Sequence, residues 1–164
     1  MPVVPLPDLP AALPPRRRLL GLDLGEKTIG LALSDSRLTL ASPLEVIRRK
    51  RFTDDAAALR RIVDGREVGG LVIGLPVNMD GSEGPRCQSV RQFARNLAEL
   101  ADLDLPTAFW DERLSTVAVN KFLIGELDMT RAKRAQSVDK LAAAHILQGA
   151  LDALDALGPP PEEG

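Results

Sequence analysis

The chain has 164 residues, of which 45 % are apolar and 27 % are charged, and its net charge is −2. This length suits one domain with its own hydrophobic core. One cysteine, Cys87, excludes an intrachain disulfide, and a single histidine, His145, excludes a zinc site built from several Cys and His ligands. A metal ion here must be held by oxygen, which favours Mg²⁺ or Mn²⁺. No apolar run is long enough to span a membrane and the N-terminus lacks the order of a signal peptide, so we expect a cytoplasmic protein.

Prolines mark both ends of the chain. Residues 1–17 include prolines at positions 2, 5, 7, 10, 14 and 15, a composition that predicts a disordered leader outside the core. Residues 158–164 combine three prolines with two acids and predict a disordered tail. Residues 18–157 are therefore expected to form the single folded domain.

The predicted elements begin with strands at Leu19 to Asp23 and Thr28 to Ser34. The link between them is short and contains Gly25, which favours an antiparallel hairpin. The remaining elements, in chain order, are a strand at about 42–48, a helix at about 53–65, a strand at 70–75, a helix from Pro85, a strand at 107–110, a helix from about Ser115 and a helix at about 137–157. A three-stranded antiparallel meander followed by alternating helices and parallel strands predicts an α/β fold with a central mixed five-stranded sheet flanked by helices.

Carboxylates stand at the ends of two predicted strands. Asp23 ends an otherwise apolar strand, where its charge needs a cation or hydrogen bonds, although an aspartate that merely caps the following turn would occupy the same position. Asp111 and Glu112 directly follow the strand at 107–110. Adjacent residues of an extended chain point to opposite faces, so only one of the two should reach a shared site. The alternative is an ordinary polar loop in which they pair with Arg113.

Asp139 lies near the start of the last predicted helix. It shares a helical stripe with Ala143, Ile146 and Ala150, which predicts an inward position. The alternative is an acid that the helix dipole favours by about 0.3–1 kcal/mol. Acids at the ends of two strands and a helix would suit two-metal phosphodiester hydrolysis, in which ions about 3.5–4 Å apart activate water and stabilise the leaving oxygen.

Four motifs carry a family resemblance. They are GLDLGEKTIGLA at 21–32, IGLPVNMDG at 73–81, DERLST at 111–116 and VDKLAA at 138–143. In this order and spacing, across about residues 18–157, they resemble the YqgF/RuvX family. The resemblance implies an RNase H-like fold related to the Holliday junction resolvase RuvC. It also implies a metal-dependent nuclease that acts in 5′-end maturation of pre-16S rRNA, on branched DNA, or on both.

The same resemblance implies the site residues. Asp23, Glu112 and Asp139 correspond to the catalytic acids, which would hold Mg²⁺ or Mn²⁺, as two ions. In RuvC-like resolvases the second acid ends the fourth strand, but here that strand ends without one at Pro76. The next strand must then supply it, and Glu112 is preferred to Asp111.

Contacts with nucleic acid are expected at the same edge of the sheet. The candidate residues are Asn78, Arg113, Ser115, Thr116 and Lys140, with a structural role in the loop equally open for Asn78 and Arg113. Basic clusters at 48–51 and 131–134 could hold the phosphate backbone or be solvated surface runs. Aromatic residues are scarce (four Phe, one Trp and no Tyr), which favours recognition of shape in a junction or folded RNA over base stacking.

Two alternatives and one open question remain at this point. A binding module that has lost catalysis would not need all three acids. An actin-like ATP-binding fold, which Asp23-Leu24-Gly25 also resembles, needs two domains, and the chain is too short for them. A symmetric cut across a junction would require a homodimer, whereas trimming an RNA end would not.

Overall fold

A computed structural model describes residues 3–15, 17–114 and 131–157, and for residue 114 and residues 131–140 it describes the backbone. Within these ranges five strands form one sheet, in the order β3-β2-β1-β4-β5. They are β1 (Arg18–Leu24), β2 (Thr28–Ser34), β3 (Ala41–Arg48), β4 (Val68–Leu75) and β5 (Thr107–Asp111). The β1–β2 and β2–β3 pairs are antiparallel, and the β1–β4 and β4–β5 pairs are parallel. The predicted mixed sheet is confirmed, with β1 at its centre.

Helices cover both faces of the sheet, as the element order predicts. They are α1 (Leu9–Ala12), α2 (Phe52–Gly65), α3 (Pro85–Glu99) and α4 (Arg131–Ala156). Helix α4 begins at Arg131, earlier than the predicted start near Ser137. The helix predicted from Ser115 lies outside the described residues. No helix in the described part of the chain has the length and apolar character needed to cross a bilayer.

Two hydrophobic cores lie on opposite faces of the sheet. The first packs Leu20 and Leu22 of β1 against α2 and α3, and the second packs Leu19 of β1 against α4. Successive side chains of a strand point to opposite faces, so neighbouring leucines in β1 enter different cores. Both Leu19 and Leu20 are fully buried. This explains why β1 is apolar from Leu19 to Leu22.

Helix α4 rests directly on β1 at Gly21. A Cβ atom added to Gly21 would lie 2.8 Å from Leu147 Cβ, so only glycine allows this approach. Gln148, one residue further along α4, accepts a hydrogen bond from the backbone N–H of Ala41 at 2.8 Å, near the end of the sheet where β1 begins. Helix α4 therefore runs antiparallel to β1, and its earlier residues lie toward the end of β1 that carries Asp23.

The Pro-rich leader packs against the sheet, whereas the sequence predicts a disordered segment. The N–H of Val4 donates to the carbonyl oxygen of Thr107 at 2.9 Å, a 3₁₀ turn follows at Leu6–Asp8, and Leu9 is fully buried in the second core. Proline restricts its own backbone but leaves the apolar residues between prolines able to pack. The leader is thus ordered against the sheet over residues 3–15. The predicted tail at 158–164 lies outside the described residues.

Candidate active site

Asp23 lies one residue before the end of the central strand. Its neighbours Leu22 and Leu24 both belong to the core beneath α2 and α3, so Asp23 between them faces the α4 side. Across the hairpin it pairs with Gly30. The carboxylate is half-buried at the edge where the parallel strands end. That edge is where ligands meet open α/β sheets.

Glu112 reaches Asp23 from the other side of β4. It begins the 3₁₀ turn Glu112–Leu114 that follows β5, and its side chain is hydrogen-bonded to that of Asp23. Strand β4 lies between the two, and a Cβ atom on Gly74 would come within 2.6 Å of Glu112 Oε1. The Glu112 carboxyl group therefore occupies the space that a β4 side chain would otherwise fill. Ile146 of α4, also 2.6 Å from that Cβ position, closes the space from above.

The electrostatics of Glu112 follow from this placement. Burial, the negative charge of Asp23 and the hydrogen bond between the two side chains raise the pKa of Glu112 from 4.5 to about 8. Arg86 lowers the pKa of Glu112 and so offsets part of this shift. Two carboxyl groups this close share a proton unless a cation takes its place. Their oxygen donors are the kind that Mg²⁺ and Mn²⁺ prefer, so the pair fits a divalent metal ion.

Asp139 and Lys140 lie in the first half of α4, in the part whose side chains are outside the description. Residue 139 stands one helical turn before Ala143, whose carbonyl oxygen lies beside Gly21. Because α4 runs antiparallel to β1, this backbone position lies toward the Asp23 end of the strand. Among the side chains that are described, no group of three His, Cys, Asp or Glu residues could hold a metal ion. Ser115 and Thr116 lie outside the described residues.

Asp111 makes different contacts from its neighbour. Its Oδ2 accepts hydrogen bonds from Arg113 Nη2 at 2.6 Å and Nε at 2.9 Å, and its Oδ1 accepts one from the backbone N–H of Arg113 at 2.9 Å. These bonds lower the pKa of Asp111 below its usual range. Asp111 is thus bound to Arg113, while Glu112 is bound to Asp23. The two neighbours make separate contacts because Asp111 ends β5 and Glu112 begins the 3₁₀ turn.

Arg113 and Asn78 both hold the loop that follows β4. Arg113 Nη1 donates to the carbonyl oxygens of Asn78 at 3.3 Å and Met79 at 3.4 Å. The Asn78 side-chain amide donates to Ser82 Oγ at 3.1 Å, and the Asn78 backbone carbonyl oxygen accepts a hydrogen bond from the N–H of Gly81 at 2.9 Å. The loop, Arg113 and Glu112 line one cavity of about 440 Å³. The structure therefore brings these predicted residues to one edge, and their contacts with nucleic acid stay predictions.

Arg86 was missed by reasoning from the sequence. It lies in the first turn of α3, it lines the same cavity as Glu112, and its charge acts on that carboxyl group. A signal was present, because a cation in the first turn opposes the helix dipole and so needs a reason to be there. The sequence shows that the strand before Pro76 ends without an acid, but the space that Gly74 leaves for Glu112 can be seen only in three dimensions.

Solved structures of other proteins share this fold. The chain matches Thermus thermophilus RuvC in complex with a Holliday junction substrate, with a TM-score of 0.54 and 17 % identity over 87 % of this chain and 96 % of that chain. It also matches the yeast mitochondrial Holliday junction resolvase Ydc2, with a TM-score of 0.51 and 12 % identity over 93 % and 85 % of the two chains. At these identities the likeness shows the fold, which is that of the RNase H-like resolvases.

Sequence comparison then gives the family. Residues 17–153 match the family model RuvX, described as Holliday junction resolvase. Proteins named "Putative pre-16S rRNA nuclease" are 65 % identical in Phenylobacterium zucineum, over 94 % of this chain and 98 % of the relative, and 63 % identical in Rhodospirillum rubrum, over 97 % and 98 %. The chain belongs to the RuvX family, and the resemblance stated from its four motifs is confirmed.

Proposed function

We propose that this protein is a divalent-metal-dependent endonuclease that hydrolyses phosphodiester bonds in structured nucleic acid, with Asp23, Glu112 and Asp139 as its catalytic acids. The observation that carries the proposal is the hydrogen-bonded pair of Asp23 and Glu112 at the carboxyl end of the central sheet. Two half-buried carboxyl groups held together cost free energy unless they bind a cation or move a proton. Carboxylates that hold divalent ions suit phosphodiester hydrolysis, because the ions activate water and stabilise the leaving oxygen.

The acids would hold the metal and orient it. Mg²⁺ or Mn²⁺ bound there, as two ions, would supply an activated water and a positive charge for the leaving oxygen. Asp23 is fixed by the strand and Glu112 by the space over Gly74, so both carboxylates are positioned before any ion arrives. Asp139 would be the third ligand from α4, and the backbone direction of that helix supports this.

Positive groups near the acids would hold the nucleic acid. Arg86 and Arg113 line the cavity beside Glu112, and Lys140 follows Asp139 in the chain. Asn78, Ser115 and Thr116 complete the set that we assign to nucleic-acid contact. Arg113 would contact phosphate only by sharing its guanidinium with Asp111, so its main contribution would be to hold the loop after β4.

The substrate class follows from the relatives. Their name points to pre-16S rRNA, whose 5′ end the family resemblance implies, and the family description points to branched DNA. Phosphodiester hydrolysis by these acids would serve DNA and RNA alike, so one site would serve both. Work on pre-rRNA would place the protein in the cytoplasm, and a symmetric cut of a junction would need a homodimer.

The test is a direct comparison of two substrates. Purified protein is incubated with a four-way DNA junction and with a 5′ segment of pre-16S rRNA, with Mg²⁺, with Mn²⁺ and with EDTA. Cleavage of at least one substrate that requires metal and is lost in Asp23→Asn supports the proposal. Cleavage that survives in Asp23→Asn, or in EDTA, would overturn it.

A further inference from the structure

We infer that Arg49 and Arg86 form a second phosphate subsite, which holds a backbone phosphate next to the one that is cut. The inference rests on the proposed function, since it places the strand that runs through the same site. Its basis is a cavity of about 270 Å³ between α3 and the loop of the β1–β2 hairpin, which begins two residues after Asp23. The lining is Leu24, Gly25, Glu26, Arg49, Arg86, Ser89, Val90 and Phe93.

Arg49 is fixed in this cavity before any ligand binds. Its Nη1 donates to the carbonyl oxygen of Gly25 at 2.7 Å, and its Cζ lies 5.5 Å from the centre of the Phe93 ring. Its Nε lies 3.9 Å from Oδ2 of Asp55, a buried carboxylate whose Oδ1 also accepts the N–H of Lys50 at 3.0 Å. A guanidinium has five N–H donors, and these contacts orient it without using all of them. An ordered guanidinium loses little further entropy when it binds an anion.

Arg86 joins this cavity to the catalytic pair. It lines both the cavity that contains Glu112 and the cavity that contains Arg49. Its side chain is exposed, and its charge is close enough to lower the pKa of Glu112. The two cavities therefore meet at Arg86, with the carboxylates on one side and Arg49 on the other. A nucleic-acid strand that crosses the carboxyl edge of the sheet would pass from one to the other.

The two guanidinium groups of the cavity favour an anionic ligand. Arg49 and Arg86 line the cavity with one acid, Glu26, which is exposed at the tip of the hairpin, while the buried Asp55 lies 3.9 Å from Arg49 Nε and is not part of the lining. The two guanidinium groups and the short distance in sequence from Asp23 to Gly25 suit a phosphate of the bound strand. Arginine is the side chain best shaped to donate two parallel hydrogen bonds to phosphate.

The test is a double-mutant cycle between arginine and phosphate. Binding is measured in the Asp23→Asn background, with a four-way DNA junction in which one linkage at a time is an uncharged methylphosphonate. We expect one linkage beside the cleavage position whose neutralisation weakens binding as much as Arg86→Ala does, by several-fold. In the Arg86→Ala protein that linkage should have almost no further effect. Arg49→Ala should show the same coupling. Each substitution should also make the plot of the logarithm of the binding constant against the logarithm of the salt concentration less steep, by about 0.9 in slope.

Two controls separate a subsite from general positive charge. Arg95→Ala removes an exposed arginine more than two turns further along α3, and Arg48→Ala removes the exposed neighbour of Arg49. Neither should couple to any single linkage. Arg49→Lys keeps the charge but cannot donate two parallel hydrogen bonds to one phosphate. It should therefore keep the salt dependence of binding and weaken the coupling to the linkage.

Additive effects at every linkage for both Arg86→Ala and Arg49→Ala would overturn the subsite, whatever the cleavage assays show. Conversely, failure to cleave any substrate would overturn the proposed function. The double-mutant cycle could still be measured, because it uses binding and not cleavage. The two failures are therefore distinguishable.

Discussion

Asp23 and Glu112 are joined by a hydrogen bond although a whole strand, β4, separates β1, which carries Asp23, from β5, which Glu112 follows. The contact exists because the residue of β4 beneath Glu112 is Gly74, which has no side chain. In RuvC-like resolvases the corresponding acid is expected on the fourth strand itself. Here a neighbouring strand delivers the acid to the same place, and a glycine keeps that place open.

Gly74→Ala should therefore separate the two carboxyl groups. The added Cβ would lie 2.6 Å from Glu112 Oε1, and displacing a catalytic group by about 1 Å costs roughly 100-fold in rate. We expect a loss of metal-dependent cleavage of that order with a modest fall in melting temperature. Single-turnover cleavage measures the loss of activity, and thermal unfolding measures the change in melting temperature.

The shorter side chain of Glu112→Asp should partly restore cleavage when it is combined with Gly74→Ala. Gly70→Ala is the matched control, because it adds a methyl group to the same face of β4 against Leu13 and Leu19, far from the acids. If Gly70→Ala lowers cleavage as much as Gly74→Ala does, the effect belongs to the strand and not to Glu112.

The adjacent acids Asp111 and Glu112 should respond differently to loss of charge. Glu112→Gln removes a group that contacts Asp23 and should abolish cleavage. Asp111→Asn weakens the bonds to Arg113 and should cost only about 10-fold, the lower end of the range for residues that position a site. The measurement is cleavage rate against metal concentration. Complete loss of activity in Asp111→Asn with activity retained in Glu112→Gln would assign the second ligand to Asp111.

The metal-free protein should lose stability as pH rises. The folded protein keeps the Glu112 proton up to about pH 8, because burial and Asp23 raise its pKa, whereas the unfolded chain releases it near 4.5. Between these two values the unfolded state binds fewer protons, so the free energy of unfolding falls with pH, and above about 8 this group causes no further loss. Thermal unfolding in EDTA from pH 5 to 9 measures the effect.

Glu112→Gln is the control for this pH dependence, since other groups also titrate. Its melting temperature should change less than that of the native protein over the same range. Mg²⁺ should raise the melting temperature of the native protein more at pH 8 than at pH 6, because the ion competes with the proton. Identical pH profiles for the two proteins would show that Glu112 has an ordinary pKa.

Leu9→Ala tests whether the leader is part of the folded domain. Leu9 is fully buried, and truncation of a buried leucine typically costs 2–5 kcal/mol. Val3→Ala is the control, because Val3 is 50 % exposed and should cost little. Urea unfolding of both variants gives the comparison. Equal stabilities would mean that the leader does not contribute to the core in solution.

The sequence predicted the architecture well because each strand and helix carries its own signal. The apolar runs of β1 and β4 and the spacing of apolar residues in α3 are local patterns, and the glycine-containing link at Gly25 predicted the first hairpin. The leader differs from the sequence-based expectation for a physical reason. Its composition resembles that of disordered segments, and the burial of Leu9 depends on a surface formed by α4 and the sheet.

The candidate site was only partly predictable. Asp23 could be named from its position at the end of a strand. The division of roles between Asp111 and Glu112 depends on which face each side chain takes, and the alternation of an extended chain predicted that they would differ without saying which one meets Asp23. Arg86 and Arg49 are distant in sequence, and only the packing of α3 beside the hairpin brings them to one cavity.

The leader pairs with Thr107 at the outer edge of the sheet. Strand β5 is an edge strand, and unpaired edges can recruit strands from other chains and lead to aggregation. Val3 and Val4 pair with β5 at Thr107, and Pro5 follows at once. Proline has no N–H with which to continue a ladder, so the added pairing stops where it starts. The leader therefore covers the start of the edge strand that leads to Glu112 without extending the sheet.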